Sequence, residues 1–211
     1  MIQRDLYLAA LIITGALAGC QKEKEPGKES DSDYYEIATP VKNQPTQEEL
    51  IERGKYIVTV AGCNDCHSPK VMTERGPEPD PNRLMSGHNM NEPLPPKQKD
   101  AGQDGWIRFT IGLTSAVGPW GQSFAANLTP DETGIGAWTF ENFKTAIRKG
   151  KYKGQEGGRD LLPPMPWQMY RHMTDEDLLS VFSYLKSLPK VNNVVPLPIP
   201  PQPEKISLNK K

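Results

Sequence analysis

Cysteine is scarce in this chain: there are three in 211 residues, alongside three histidines. So few thiols exclude a disulfide-stapled scaffold, and no Cys/His cluster recurs along the sequence. An excess of one charge is missing too, since 25 Lys and Arg face 26 Asp and Glu for a net charge of −1. No basic block stands alone, so nothing points to nucleic acid. Long apolar runs are absent: the stretch from Leu6 to Ala18 is too short to span a bilayer comfortably. There is no internal repeat. Proline, by contrast, is plentiful. The 21 prolines gather in residues 69–96 and 189–203, so much of the chain should be extended or looped.

The N-terminus has one Arg, then the short apolar run, then Leu17-Ala18-Gly19-Cys20. The run has the shape of a signal-peptide core. The four residues resemble the bacterial lipobox, in which the Cys is lipidated and becomes the new N-terminus. The expectation is a signal peptide over 1–19, removed without changing the net charge, and a lipid on Cys20. Residues 20–45 mix both charge signs with little to bury, as in "QKEKEPGKESDSD". They read as a flexible membrane tether, with a reach of roughly 25–30 Å for about 25 residues.

The remaining two cysteines stand in "AGCNDCHSPK", residues 61–70. Cys63-x-x-Cys66-His67 admits three chemistries. Zinc needs four ligands, and His88 and His172 are far away, outside any cluster and best read as surface residues. A redox dithiol is expected near alternating strands and helices, which the sequence lacks here. Covalent haem attachment uses the whole pattern: two thioether bonds from Cys63 and Cys66, with His67 on the iron. Haem c is attached outside the cytoplasm in the families that carry it, so motif and signal support each other. The motif occurs once, which implies one haem.

Three helices are legible from caps and periodicity. Thr46-x-x-Glu49 is a capping box, and the apolar positions after it run into the Cys-x-x-Cys-His motif. A second helix starts at Thr139, with Trp138 and Phe143 placed as a hydrophobic staple and Gly150 as its stop. A third starts at Thr174, buries Leu178, Leu179, Val181, Phe182, Leu185 and Leu188, and ends at Pro189. Between the motif and the second helix, "WIRFTIGL" alternates Ile107, Phe109, Ile111 and Leu113 with other residues. It predicts a strand, with "WGQSFAANL" as its hairpin partner.

A haem bound by one His raises the question of the sixth iron position. Of seven methionines, Met165 stands apart, in "LLPPMPW". Pro163, Pro164 and Pro166 stiffen the segment, which reduces the ordering entropy of holding a weak thioether ligand in place. Met173 reads as a staple with Leu178, Met169 as packing, and Met72, Met85 and Met90 have no special frame. Trp120, Trp138, Trp167 and Tyr170 are candidates to pack on the haem or bond its propionates. From 139 to 172 there are seven Lys or Arg against three acids, either a basic docking rim or a plain solvated face.

"CNDCHSPK", "NLTPDETGIGAWT", "LLPPMPWQMY" and "MTDEDLLSVFSYLKSLP" together resemble class I cytochromes c. The likeness is to the single-haem modules repeated in the cytochrome subunits of bacterial membrane-bound alcohol and gluconate dehydrogenases. It covers most of residues 50–190. It implies a mainly α, class I cytochrome c fold, with crossed N- and C-terminal helices around one haem and a long loop insertion holding a small β-hairpin. The helices would cross near Gly54 and Tyr184, Met165 would be the distal ligand, and the role would be electron transfer. The expected domain is 46–190, with 191–211 a Pro-rich extended tail. The expected partners are redox proteins (a dehydrogenase, a cytochrome complex or a terminal oxidase) and a membrane through the lipid, with no small-molecule substrate. The protein would be an exported lipoprotein facing the periplasm or the cell exterior. Two features depart from those subunits: they carry several haem modules, and here a lipobox stands in place of a C-terminal membrane helix. The rival function is a haem enzyme or sensor with an open distal site, peroxidase-like or gas-binding.

Overall fold

A computed structural model describes residues 44–96, 102 and 104–201. The expected signal peptide, Cys20 and the tether up to residue 43 lie outside these residues. No helix among the described residues is long and apolar enough to cross a membrane.

Among the described residues, five α-helices carry the fold: α1 (Gln47–Val60), α2 (Cys63–His67), α3 (Phe140–Lys149), α4 (Trp167–Tyr170) and α5 (Asp175–Ser187). Helix α1 begins where its capping box predicts. Thr46 Oγ1 accepts from Glu49 N at 3.2 Å, and Glu49 Oε2 accepts from Thr46 N at 2.7 Å. Thr139 caps α3 in the same reciprocal way through Asn142, and Gly150 ends it. Thr174 caps α5. There Asp177, at the position that could complete a capping box, instead accepts from Arg53 of α1 at 3.0 Å.

The core is built where α1 meets α5. Ile57, Val58, Leu178 and Leu185 are buried there, with Ile135 and Phe143 beside them. Each fully buried side chain of this size contributes roughly 1.5–3 kcal/mol relative to exposure. The helices approach at Gly54, where a Cβ would overlap the Ser180 carbonyl oxygen and lie 2.8 Å from Tyr184 Cβ. The close approach explains why α5 buries Ser180 and Ser183 as well as its leucines.

Two small antiparallel sheets lie between α2 and α3. Strand β1 (Lys70–Thr73) pairs with β2 (Gly76–Pro79), a hairpin inside the proline-rich stretch expected to be extended or looped. The second sheet has the order β3 (Arg108–Phe109), β4 (Ser115–Gly118), β5 (Gly121–Phe124). The sheet corrects the expected hairpin: "WIRFTIGL" supplies only two paired residues, and its neighbour is β4, not "WGQSFAANL". Its alternating residues do not face a core either, since Ile107 is 50% and Ile111 83% exposed. The buried residues of this sheet are Ser115, Ala116 and Gly118 of β4 and Gly121, Gln122 and Ser123 of β5.

The segment after α5 is extended, yet it is part of the fold. Asn193 is fully buried, and its Nδ2 donates to the Ser86 and His88 carbonyls at 2.7 and 2.8 Å. Ile199 pairs with Gln122 through two main-chain bonds of 2.8 and 2.9 Å, closing the outer edge of β5.

Candidate cofactor cavity

Helix α1 stops at Ala61, and Gly62 turns the chain with φ of 69°, a left-handed value that favours glycine. One turn of α2 then presents Cys63, Cys66 and His67. The turn is fixed at its C-terminal end by Lys70, whose role has no signature in the sequence. Its ammonium donates to the carbonyls of Asn64, Asp65 and Ser68 at 3.0, 2.9 and 2.6 Å. A cation that satisfies helix-end carbonyls also complements the helix dipole.

The His67 ring is oriented from outside its helix. Its Nδ1 lies 2.8 Å from the Ala126 carbonyl oxygen. A carbonyl can only accept, so Nδ1 carries the proton and the Nε2 lone pair is free for a metal. Burial holds the imidazole pKa below its ordinary value, which favours the neutral, ligating form. The carbonyl is presented by a rigid loop. Asn127 Oδ1 accepts from Thr129 N and Oγ1 at 3.0 and 2.8 Å, and its Nδ2 donates to Val191 O at 2.9 Å. Asp131 repeats the turn with Thr133. The loop accounts for the polar residues of "NLTPDETG".

Cys63, Cys66, His67 and Met165 all line one cavity, which encloses about 1200 Å³ including its open mouth. The walls are mainly apolar, with Ile57, Val58, Leu128, Phe143, Leu178 and Leu185 from α1, α3, α5 and the loop between. Burial pushes the Cys63 thiol up to about 11 and raises that of Cys66. A redox-active dithiol needs the opposite shift, so the pair is unsuited to disulfide exchange. Two thiols, a free imidazole nitrogen and an apolar cleft fit a covalently held planar macrocycle such as haem.

Three methionines reach the cavity, not one: Met85, Met165 and Met173. Met85 is 1% exposed within the core, and Met173 packs against the core. Met85 has φ of 58° and Leu113 φ of 60°, so two of the three non-glycine residues with left-handed backbone line the cavity. Such strain gathers at functional sites. Among the described residues, only Met165 of the three neither belongs to the core cluster nor packs against it, and it is half-buried on its proline loop.

Of the four aromatics expected near the cofactor, Tyr170 alone lines the cavity, and its hydroxyl donates to Ala61 O at 2.7 Å. Trp120 and Trp167 lie outside the lining, and Trp138 packs against the core. Phe124, Phe143 and Tyr152 line it instead. His88, expected at the surface, is 1% exposed, with Nδ1 2.8 Å from Thr114 Oγ1 and its ring 5.0 Å from that of Phe124. The reason is the buried tail, since Asn193 ties down the His88 carbonyl. His172 is exposed, as expected. The basic surplus after Thr139 is largely paired: Lys144 and Arg148 meet Glu141 and Asp175, Lys149 meets Glu156, and Lys151 meets Asp160. Arg159 is the one Lys or Arg among the cavity-lining residues.

No protein-family model matches the chain. Similarity to known proteins is nonetheless consistent. The chain is 29% identical over 155 residues to the fructose dehydrogenase cytochrome subunit of Gluconobacter japonicus, covering 70% of this chain and 24% of that one. It is 29% identical over 136 residues to the gluconate 2-dehydrogenase cytochrome c subunit of Pantoea cypripedii, covering 64% and 22%. It is 28% identical over 142 residues to the cytochrome c subunit of a quinone-dependent alcohol dehydrogenase of Gluconobacter oxydans, covering 67% and 22%. The match thus spans a quarter or less of the length of each of these relatives. The chain is a homologue of the cytochrome subunits of fructose, gluconate and alcohol dehydrogenases, and it corresponds to one segment of them.

Proposed function

We propose that this chain is a monohaem c-type cytochrome of class I fold that carries single electrons between redox proteins. The observation that carries the reading is the convergence of Cys63, Cys66, His67 and Met165 on one apolar cavity. Cys63 and Cys66 would form the thioether bonds, and His67 Nε2 and the Met165 thioether would hold the iron. Haem, when bound, supplies a reversible one-electron couple, which Met/His ligation and burial bias toward the reduced state.

The chain's own residues set the conditions for that couple. The Ala126 carbonyl fixes the tautomer and plane of His67. Lys70 holds α2 in shape. The α1, α3 and α5 walls exclude water and lower the local dielectric, and Arg159 stands where it can neutralise a carboxylate of the cofactor. With His67 and Met165 both holding the iron, no place would remain on it for a small-molecule substrate. The role is therefore that of a carrier, not an enzyme. The names of the relatives support a dehydrogenase as one redox partner. The sequence supports the rest: export, a lipid on Cys20, and a membrane-held domain facing the periplasm or the cell exterior.

The test is attachment. Cys63→Ala with Cys66→Ala should yield a chain without haem stain after denaturing electrophoresis, whereas wild type stains. Stain in the double variant would refute the assignment. Cys20→Ser should release the protein into buffer in a detergent phase separation, with its haem spectrum unchanged.

A further inference from the structure

The loop that carries Met165 has little with which to hold itself. Pro163, Pro164 and Pro166 have no backbone N–H. Leu161 N donates to Gly150 O, and Pro166 O accepts from Met169 N at 2.9 Å and more weakly from Tyr170 N at 3.4 Å. Between those anchors, the described hydrogen bond that ties the loop to the rest of the fold is made by Ser123 of β5. Its Oγ donates to the Pro163 carbonyl at 2.6 Å and accepts from Trp120 Nε1 at 3.1 Å. The polarity is fixed at both ends, because an indole N–H can only donate and a carbonyl can only accept.

Ser123 is well placed to act as a clasp. It is 7% exposed and lines the same cavity as Met165. Its strand is held on both edges, by β4 on one side and by Ile199 on the other. Its own carbonyl accepts from Ser115 Oγ at 3.1 Å. A donor on so rigid a base transmits the position of the sheet to the carbonyl two residues before Met165.

We propose that Ser123, oriented by Trp120, is a positioning residue for Met165: its hydroxyl holds the Pro163 carbonyl and so keeps the thioether at the cavity. The inference rests on Met165 as the axial ligand, and it gives the small β-sheet a role in the site. Through Ser123 the sheet acts on the loop itself. It lowers the freedom of a weak ligand to leave.

The test uses the haem-loaded full chain as wild type, Ser123→Ala, Ser123→Thr, Trp120→Phe and Met165→Ala. Three readouts are taken: the near-infrared sulfur-to-iron band of the ferric protein, its rate of imidazole uptake, and global unfolding by far-UV circular dichroism. Imidazole can bind only when the thioether has left, so its uptake reports release of the loop. Ser123→Ala should keep the band in the cold and take up imidazole roughly 3- to 10-fold faster, the factor expected for one lost hydrogen bond. Ser123→Thr, which keeps the hydroxyl, should return to the wild-type rate. Trp120→Phe should show a smaller rise, and it decides the matter if Ser123→Ala fails to load haem. Uptake by Ser123→Ala within about twofold of wild type would overturn the proposal, being less than the smallest factor one hydrogen bond should give. So would equal acceleration in Ser123→Ala and Ser123→Thr. If Met165→Ala abolishes the band while Ser123→Ala changes nothing, the positioning role alone falls. If Met165→Ala leaves the band in place, the ligand assignment falls and takes this inference with it.

Discussion

Gly54 of α1 lies directly against the Ser180 carbonyl of α5, with no room between them for a methyl group. Gly54→Ala should therefore push apart the two helices that frame the core. Overpacking of this kind costs about 1–3 kcal/mol, and the overlap is with main chain, which yields less than a side chain. The expected result is a lower midpoint in urea with little change in slope, measured on the haem-loaded protein. An unchanged midpoint would mean that α1 and α5 do not meet as described.

The methionines provide a second test. Met165→Ala should remove the near-infrared band, open the ferrous protein to carbon monoxide and lower the reduction potential. Met173→Leu should leave the spectrum intact and cost less than about 1.5 kcal/mol as a volume-conserving swap. Met85→Leu should also keep the band, although its backbone at φ of 58° leaves less tolerance. Loss of the band in Met85→Leu or Met173→Leu, with retention in Met165→Ala, would move the ligand to the core. A wild-type protein that is already high-spin and binds carbon monoxide would favour the enzymatic or sensing alternative.

Much of this site could be read from the sequence, and the misses have separate physical causes. Thr46, Thr139 and Thr174 cap their helices through bonds to residues three positions on, so their signals are local. Cys63, Cys66 and His67 sit on a single turn and were legible for the same reason. His88 and Asn193 were not, because their burial depends on a contact between segments 105 residues apart. The strand reading at residues 106–113 held only for Arg108–Phe109. Alternation is a strand signal only when one face has something to cover it, and here Phe109 and Ile111 remain exposed. Strand β4 was missed because Ser115, Ala116 and Gly118 carry no β-forming bias.

Asn127 should matter more than its distance from the motif suggests. It is 4% exposed, and its side chain satisfies Thr129 N and Val191 O. Asn127→Ala leaves Thr129 N unpaired, at about 1–3 kcal/mol for a buried group, and leaves Val191 O only the longer bond from Thr129 Oγ1 at 3.4 Å. The Ala126 carbonyl should also lose its fixed place against His67. Denaturation should show the lost stability, and magnetic resonance of the haem-loaded protein should show an altered His67 Nδ1 proton signal. A stability equal to wild type would mean that water replaces both bonds.

Acid should destabilise the protein in two stages. His88 is buried, and burial lowers its pKa. The unfolded chain then binds a proton near pH 6.5 that the folded one resists, so stability falls as the pH drops below about 6.5. Asp175 shifts downward because Arg148 donates to its carboxylate at 2.6 Å, with Lys144 adding attraction. A depressed carboxylate contributes stability above its unfolded pKa of about 3.9 and loses it as the pH falls through the folded value. Thermal midpoints measured against pH should show both limbs. His88→Gln should flatten the first, and Asp175→Asn should make the second shallower. A wild-type profile level from pH 7 to about 5 would contradict the first stage, since the unfolded histidine titrates near 6.5.

The residues of the Cys-x-x-Cys-His turn are neighbours in sequence, but the walls around them are drawn from Ile57 to Pro198. Arg53 and Asp177, which join the two framing helices, are separated by 124 positions. Closing so long a loop gains nothing until its far end arrives. On the proposed reading, the topology imposes an order of events on the exported chain. Its two thiols would stay open to covalent attachment while the polypeptide is still being delivered. They are enclosed only once α5 and the strand-like segment at Ile199 have emerged, so chemistry on the thiols comes first and folding seals it.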